Sequence, residues 1–219
     1  MGIYRGLIFD LDGVLVDTAK YHFLAWSQIA ESLGIVFTES DNERLKGVSR
    51  MRSLEILLEI GGFCLSELKK DELCAVKNEI YLSYIEQLRS SEILSGAKEF
   101  LLDVRAKGYK IALGSASKNS TLILEKLRIA NLFDVIIDGS VVELAKPDPE
   151  VFLKGAETLG MRTEECIVFE DAEAGIHAAQ AAGMKVVGVG NSDTLSEADI
   201  VIPGFAGVTI EYVVSFLGE

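Results

Sequence analysis

The chain has 219 residues, 49% of them hydrophobic, and a formal net charge of −13 at pH 7. That apolar content supports a sizeable core and excludes global disorder, while the acidic excess argues against nucleic acid or an anionic membrane as the main partner, since both select basic surfaces. Cys64, Cys74 and Cys166 lack metal-ligand spacing and read as reduced, packed thiols, and no apolar run approaches the ~18 residues of a membrane span, so the cytoplasm is the expected location.

The first residues, Met1-Gly2-Ile3-Tyr4-Arg5-Gly6, contain no hydrophobic leader. Leu7-Ile8-Phe9 is a short apolar run ending at a polar cluster, the pattern of a buried strand. Asp10 and Asp12 follow. In an extended chain residues i and i+2 point to the same side, so both carboxylates face one small volume, where repulsion is costly unless a cation or a shared proton relieves it. Gly13 then permits a sharp turn. Thr18 is placed to cap a helix whose apolar face is Phe23, Trp26, Ile29, Ala30 and Leu33, with Gly34 as its stop. A second helix carries Met51, Leu54, Leu57 and Leu58 and ends at Gly61-Gly62. A third runs from about Ser66 towards Leu88, with Leu68, Val76, Ile80, Tyr84 and Leu88 near helical period. No strand pattern occurs between Asp17 and Leu88, and Trp26 and the phenylalanines read as core.

From Ser95 the texture changes. A helix around Ala97, Phe100, Leu101 and Val104 stops at Gly108, and Lys110–Gly114 follows as a strand. The alternation repeats with a helix over 121–127, a strand over 135–137, a helix over 150–159 and a strand over 167–169. A helix over 175–182 and a strand over 185–189 come next, then a short strand over 199–202 and a closing helix over 209–217. Strands alternating with helices predict an α/β fold with a doubly wound parallel sheet, and near-continuous apolar strands fit a sheet covered on both faces. The predicted organisation is an α/β core from residues 1–16 and 95–219, with an all-helical cap, 17–94, inserted after the first strand on hinges near Asp17 and Leu94.

Ligands of such sheets bind beyond the carboxyl ends of the strands. The first predicted strand ends in Asp10-Leu11-Asp12, the second in Gly114-Ser115-Ala116-Ser117-Lys118-Asn119, and the fourth in Glu170-Asp171. Lys146-Pro147-Asp148-Pro149 follows the third at the mouth of the next helix. Clustered acids fit a hard cation such as Mg²⁺, and the lysines with Ser115 fit phosphoryl oxygens. A carboxylate can then serve as a covalent nucleophile while its neighbour handles protons. Glu173 and Asp148 read as helix-start charges.

Asp10-Leu11-Asp12-Gly13-Val14, Ser115, Lys146 and Glu170-Asp171 together resemble the four ordered motifs of the haloacid dehalogenase superfamily, and the likeness covers essentially the whole chain. A narrower likeness lies in Asp17-Thr18-Ala19-Lys20-Tyr21-His22, Leu45-Lys46-Gly47-Val48-Ser49-Arg50 and Ser115–Asn119. These segments are similar to those of the superfamily's mutases that interconvert glucose 1- and 6-phosphates through a bisphosphate. The resemblance implies Asp10 as the nucleophile that becomes an aspartyl phosphate and Asp12 as the general acid/base. It implies Mg²⁺ held by Asp10, the backbone carbonyl of Asp12, Glu170 and Asp171, and Ser115 with Lys146 on the transferring phosphoryl group. Arg50, Ser117, Lys118 and Asn119 would grip the other phosphate, with Leu45, Lys46, Gly47, Val48 and Ser49 closing over the sugar. Thr18, His22 and Lys77 would form the hinge and closure relay. The expected partner is a small sugar phosphate, and the resemblance favours a monomer.

Two other readings share these residues. A sugar-phosphate phosphatase would use the same aspartyl phosphate with water as acceptor, and a non-catalytic phosphosugar-binding protein would use only the pocket. The mutase is favoured over the first because Arg50 with Ser117-Lys118-Asn119 supplies a second phosphate site. The binder has no reason to carry Asp10 together with Asp12. A dehalogenase, which needs neither Mg²⁺ nor Asp12, fits poorly.

Overall fold

A computed structural model describes residues 3–218; Met1, Gly2 and Glu219, which fall in the N-terminal segment and at the end of the expected core range, lie outside the described residues. Six strands form the sheet: β1 (Gly6–Phe9), β2 (Lys110–Gly114), β3 (Val135–Ile137), β4 (Cys166–Glu170), β5 (Lys185–Val189) and β6 (Ile200–Ile202). Their order is β3-β2-β1-β4-β5-β6 and every neighbouring pair is parallel. The order reverses at β1, where Phe9 is in register with Leu113 of β2 and Phe169 of β4. The next residues along these strands, Asp10, Gly114-Ser115 and Glu170, therefore emerge side by side at the switch point, the ligand-binding position of open parallel sheets.

Strand alternation divides the core. Leu7, Phe9, Ile111, Leu113, Ile167 and Phe169 face one layer with α5 (Ala97–Ala106), α6 (Ser120–Lys126) and α9 (Ile210–Leu217). Ile8, Ala112, Val168 and Val186 face the other, with α7 (Glu150–Leu159) and α8 (Glu173–Ala181). Phe9 and Phe169 stack at 4.6 Å across neighbouring strands, which fixes β1 against β4 at the point where the acids leave the sheet.

Between β1 and β2 lie α1 (Ala19–Ser32), α2 (Glu39–Glu43), α3 (Arg50–Gly61) and α4 (Glu67–Ile85), with α1 and α3 packed on α4. They share their own apolar cluster, including Trp26, Ile29, Leu54, Leu57 and Leu73. The chain segments entering and leaving this block are tied to each other, Asp17 N–H donating to Glu92 C=O (2.8 Å) and Leu94 N–H to Leu15 C=O (3.0 Å).

Three expectations need correction. Helix α4 buries Leu73, Cys74, Lys77, Tyr81 and Ile85, while Leu68 and Val76 are exposed. The face is rotated because a lysine and a cysteine occupy its centre, so the apolar residues alone trace the wrong stripe. Thr18 sits at the start of α1 but its hydroxyl does not cap the helix; it donates to Asp12 Oδ1 instead. The short helix α2, begun by Thr38 with a reciprocal capping box to Asp41, lies where no helix was expected.

Candidate active site

The end of β1 delivers Asp10 into a buried charge cluster. Lys146 Nζ, itself buried, donates to Asp10 Oδ1 and to Glu170 Oε1, each at 2.6 Å. The other oxygen of Glu170 accepts from the backbone N–H of Asp171 (2.7 Å) and of Ala172 (2.9 Å), so the carboxylate anchors both the lysine and the turn that follows β4. A Cβ at Gly175 would stand 1.9 Å from Glu170 Oε1, so only glycine leaves room for this arrangement. Burial pushes the Asp10 carboxyl up to about 7; Lys146 opposes that shift, while Glu170 and Asp12 add to it. Lys146 is raised in turn, since its two carboxylates outweigh the burial that would lower it.

Carboxylate oxygens of Asp10, Glu170 and Asp171 all lie within 4.8 Å of one another. Asp171 is pushed well up by burial and by the neighbouring Glu170 and Asp10. Three acids this close together, two of them sharing one lysine, are hard oxygen donors that Mg²⁺ fits. Gly13 belongs to this construction. Its φ is +81°, and a Cβ there would meet Asp171 Oδ2 at 2.1 Å, so glycine both makes the turn after Asp12 and clears space for Asp171.

Asp12 faces the helical block. It accepts from the Thr18 hydroxyl, and His22 Nε2 lies 3.6 Å from its Oδ1. Burial alone would raise its carboxyl, but His22, Thr18 and Lys77 together hold it below the ordinary carboxylate range. Lys77 reaches His22 Nδ1 at 2.9 Å, with its ammonium 4.7 Å from the Tyr81 ring centre and 5.1 Å from that of Trp26. Burial, then the nearby Arg50, lowers Lys77 to about 7. His22 is lowered too, by burial and then by Lys77.

Beyond β2 two nested hydroxyl turns shape the loop: Ser115 Oγ accepts from Ser117 N–H and Ser117 Oγ from Asn119 N–H, each at 3.2 Å. Glu150, in the first turn of α7, accepts from Glu143 N–H (2.9 Å) and Leu144 N–H (2.6 Å), which braces the loop carrying Lys146.

These groups surround one cavity of about 520 Å³ between the sheet end and the helical block. Asp10, Asp12, His22, Leu45, Lys46, Gly47, Val48, Ser49, Arg50, Lys77, Ser115, Ser117, Lys118, Asn119, Lys146 and Asp171 all line it. Thr18 and Glu170 do not. They lie behind the wall, the first holding Asp12 and the second holding Lys146. Trp26 is core, as expected, and lines the cavity as well, while the parts of Tyr81, Asn78 and Glu150 were not read from the sequence. Tyr81 and Asn78 flank Lys77 on α4, and polar residues interrupting a buried helical face were the available signal.

The chain matches the family model described as haloacid dehalogenase-like hydrolase over residues 7–189. It is 42% identical to the beta-phosphoglucomutase of Bacillus subtilis over 209 residues, 94% of this chain and 92% of that protein. It is 34% identical to the phosphorylated carbohydrates phosphatase of Thermotoga maritima, covering 98% of this chain and 99% of that one. The crystal structure of beta-phosphoglucomutase from Clostridium difficile superposes with a TM-score of 0.93 at 41% identity, covering 97% and 96% of the two chains.

Proposed function

The chain belongs to the haloacid dehalogenase-like hydrolase family, and from that premise we propose that it is a phosphoryl-transferring mutase. Its substrates would be β-D-glucose 1-phosphate and glucose 6-phosphate, interconverted through β-glucose 1,6-bisphosphate. The observation that carries the reading is a set of residues that would make a second anion subsite. Arg50, part-buried and without a carboxylate partner among the described residues, shares the cavity with Ser117, Lys118 and Asn119.

Asp10, phosphorylated on one carboxylate oxygen, would face a sugar hydroxyl. Asp12 takes the hydroxyl proton as the sugar oxygen attacks phosphorus and the bond to Asp10 breaks, which leaves the bisphosphate and a free Asp10 carboxylate. In the return half, Asp10 attacks the other phosphate, and Asp12 gives its proton to the departing sugar oxygen. Ser115 and Lys146 orient the transferring group, and Arg50 with Ser117-Lys118-Asn119 holds the phosphate that is not reacting. Asp10, Glu170, Asp171 and the backbone carbonyl of Asp12 would hold Mg²⁺, whose charge offsets the negative charge on the phosphoryl oxygens. Residues 17–94 act as the cap, with Thr18, His22 and Lys77 relating its position to Asp12, and 45–49 covering the sugar.

The 34% identity to a phosphorylated carbohydrates phosphatase supports a second reading, in which water takes the phosphoryl group. A second phosphate grip lining the same cavity favours the sugar, since it would hold the bisphosphate for the return half of the reaction. A ³¹P NMR assay with β-glucose 1-phosphate, Mg²⁺ and a trace of bisphosphate separates the two, because glucose 6-phosphate and inorganic phosphate resonate apart.

A further inference from the structure

Arg50 and Asn119 come from different parts of the chain, one opening α3 and the other closing the loop after β2. Both end on a single atom. Arg50 Nη2 donates to Asn78 Oδ1 at 2.7 Å, and Asn119 Nδ2 donates to the same oxygen at 3.0 Å. A guanidinium has no acceptor, so the Asn78 atom it faces is the carbonyl oxygen and the second donor fills its other lone pair. Asn78 is half-buried on α4 beside Lys77, and it stands outside the cavity that Arg50 and Asn119 line.

The choice of an amide here has a chemical consequence. A carboxylate at position 78 would neutralise Arg50 with a strong charge-assisted pair and leave it little reason to bind another anion. The neutral oxygen satisfies the same donors, at about half the strength of a charged acceptor, and leaves the positive charge uncompensated. It also fixes the helical block to the sheet end across the seam that the two donors span. We propose that Asn78 is a positioning residue for the non-reacting phosphate: its carbonyl oxygen holds Arg50 and Asn119 at the spacing the anion requires, while its neutrality keeps Arg50 free to receive it. This rests on the assignment of Arg50 and Asn119 to the second phosphate.

The test compares Asn78→Ala and Asn78→Asp with wild type and Arg50→Ala, all loaded with Mg²⁺. The substrates are β-glucose 1-phosphate, which carries a far-side anion, and acetyl phosphate, a small phosphoryl donor whose hydrolysis uses only the Asp10 side. Asn78→Ala is expected to raise KM for the sugar phosphate about tenfold, the size of one lost hydrogen bond to a charged group, with kcat and acetyl phosphate hydrolysis within about twofold. Asn78→Asp keeps the side-chain shape. It is expected to raise the melting temperature through its pair with Arg50 and yet to raise KM further than the alanine variant does. A tether with no part in phosphate binding would not separate stability from affinity in this way. If Arg50→Ala loses sugar-phosphate affinity and both Asn78 variants keep it, the role of Asn78 is overturned while the subsite stands. If Arg50→Ala itself binds the sugar phosphate as wild type does, the subsite assignment falls.

Discussion

The side-chain nitrogen of Lys77 lies 2.9 Å from Nδ1 of His22. Nε2 of the same ring lies 3.6 Å from Asp12 Oδ1, so the imidazole stands between the lysine and the aspartate. A lysine of α4 thereby holds the imidazole that faces the proposed acid/base. Lys77→Met is expected to lower kcat by up to about 10²-fold, since a misplaced proton-transfer group loses the lower part of its ordinary contribution. Steady-state kinetics beside a circular dichroism spectrum check this. A variant that is folded and fully active would remove the relay.

Lys146 is the one cation in contact with both Asp10 and Glu170 among the described residues. Lys146→Met leaves two buried carboxylates facing each other, and breaking a buried pair this way costs about 3–5 kcal/mol. Urea unfolding should show that loss, and added Mg²⁺ should recover part of it by taking the place of the missing charge. A variant as stable as wild type would mean that the cluster is not held as described.

Cation binding has its own signature in stability. A ligand that binds only the folded state raises the melting temperature in proportion to the logarithm of its concentration above Kd. Wild type should show that rise with Mg²⁺. Asp171→Asn should flatten it, since Asp171 contributes a donor to the group of three acids. Gly13→Ala is expected to do the same by driving a methyl group into Asp171. An undiminished Mg²⁺ response in Asp171→Asn would move the cation site elsewhere.

Acid sensitivity should appear far from the site. Glu165 accepts from Arg5, across the start of β1 and β4, and from Arg162 N–H (3.1 Å) and Nε (3.2 Å), and these bonds lower its carboxyl to about 2. In the unfolded chain the group titrates near its ordinary value of about 4.3. The stability it contributes is therefore complete above that value and lost as pH falls towards 2. Glu165→Gln should melt below wild type at pH 7, and the gap should close between about pH 4 and pH 2. A gap independent of pH would show that shape rather than charge holds this corner.

Most of the sheet was legible because its strands are short apolar runs, and the candidate site was legible because the ends of β1, β2 and β4 carry chemistry. Asp10, Ser115 and Glu170 emerge together for a simple reason: parallel register places the ends of β1, β2 and β4 at one level. The face of α4 was not legible. Its buried centre holds Lys77, and a pattern of apolar spacing cannot credit a lysine that is buried between Trp26 and Tyr81. Asn78 was missed for a related reason, since its importance lies in two partners, 28 and 41 residues away along the chain. The role of Thr18 changed because its hydroxyl had two acceptable partners and the charged one, Asp12, took it.

The central claim is that a sugar, not water, receives the phosphoryl group from Asp10. A ³¹P NMR time course of the Mg²⁺-loaded protein with β-glucose 1-phosphate and a trace of β-glucose 1,6-bisphosphate tests it most directly. The β-glucose 1-phosphate signal should pass into glucose 6-phosphate with little inorganic phosphate. Inorganic phosphate released in step with the substrate consumed would contradict it and assign the chain to the phosphatases of the family.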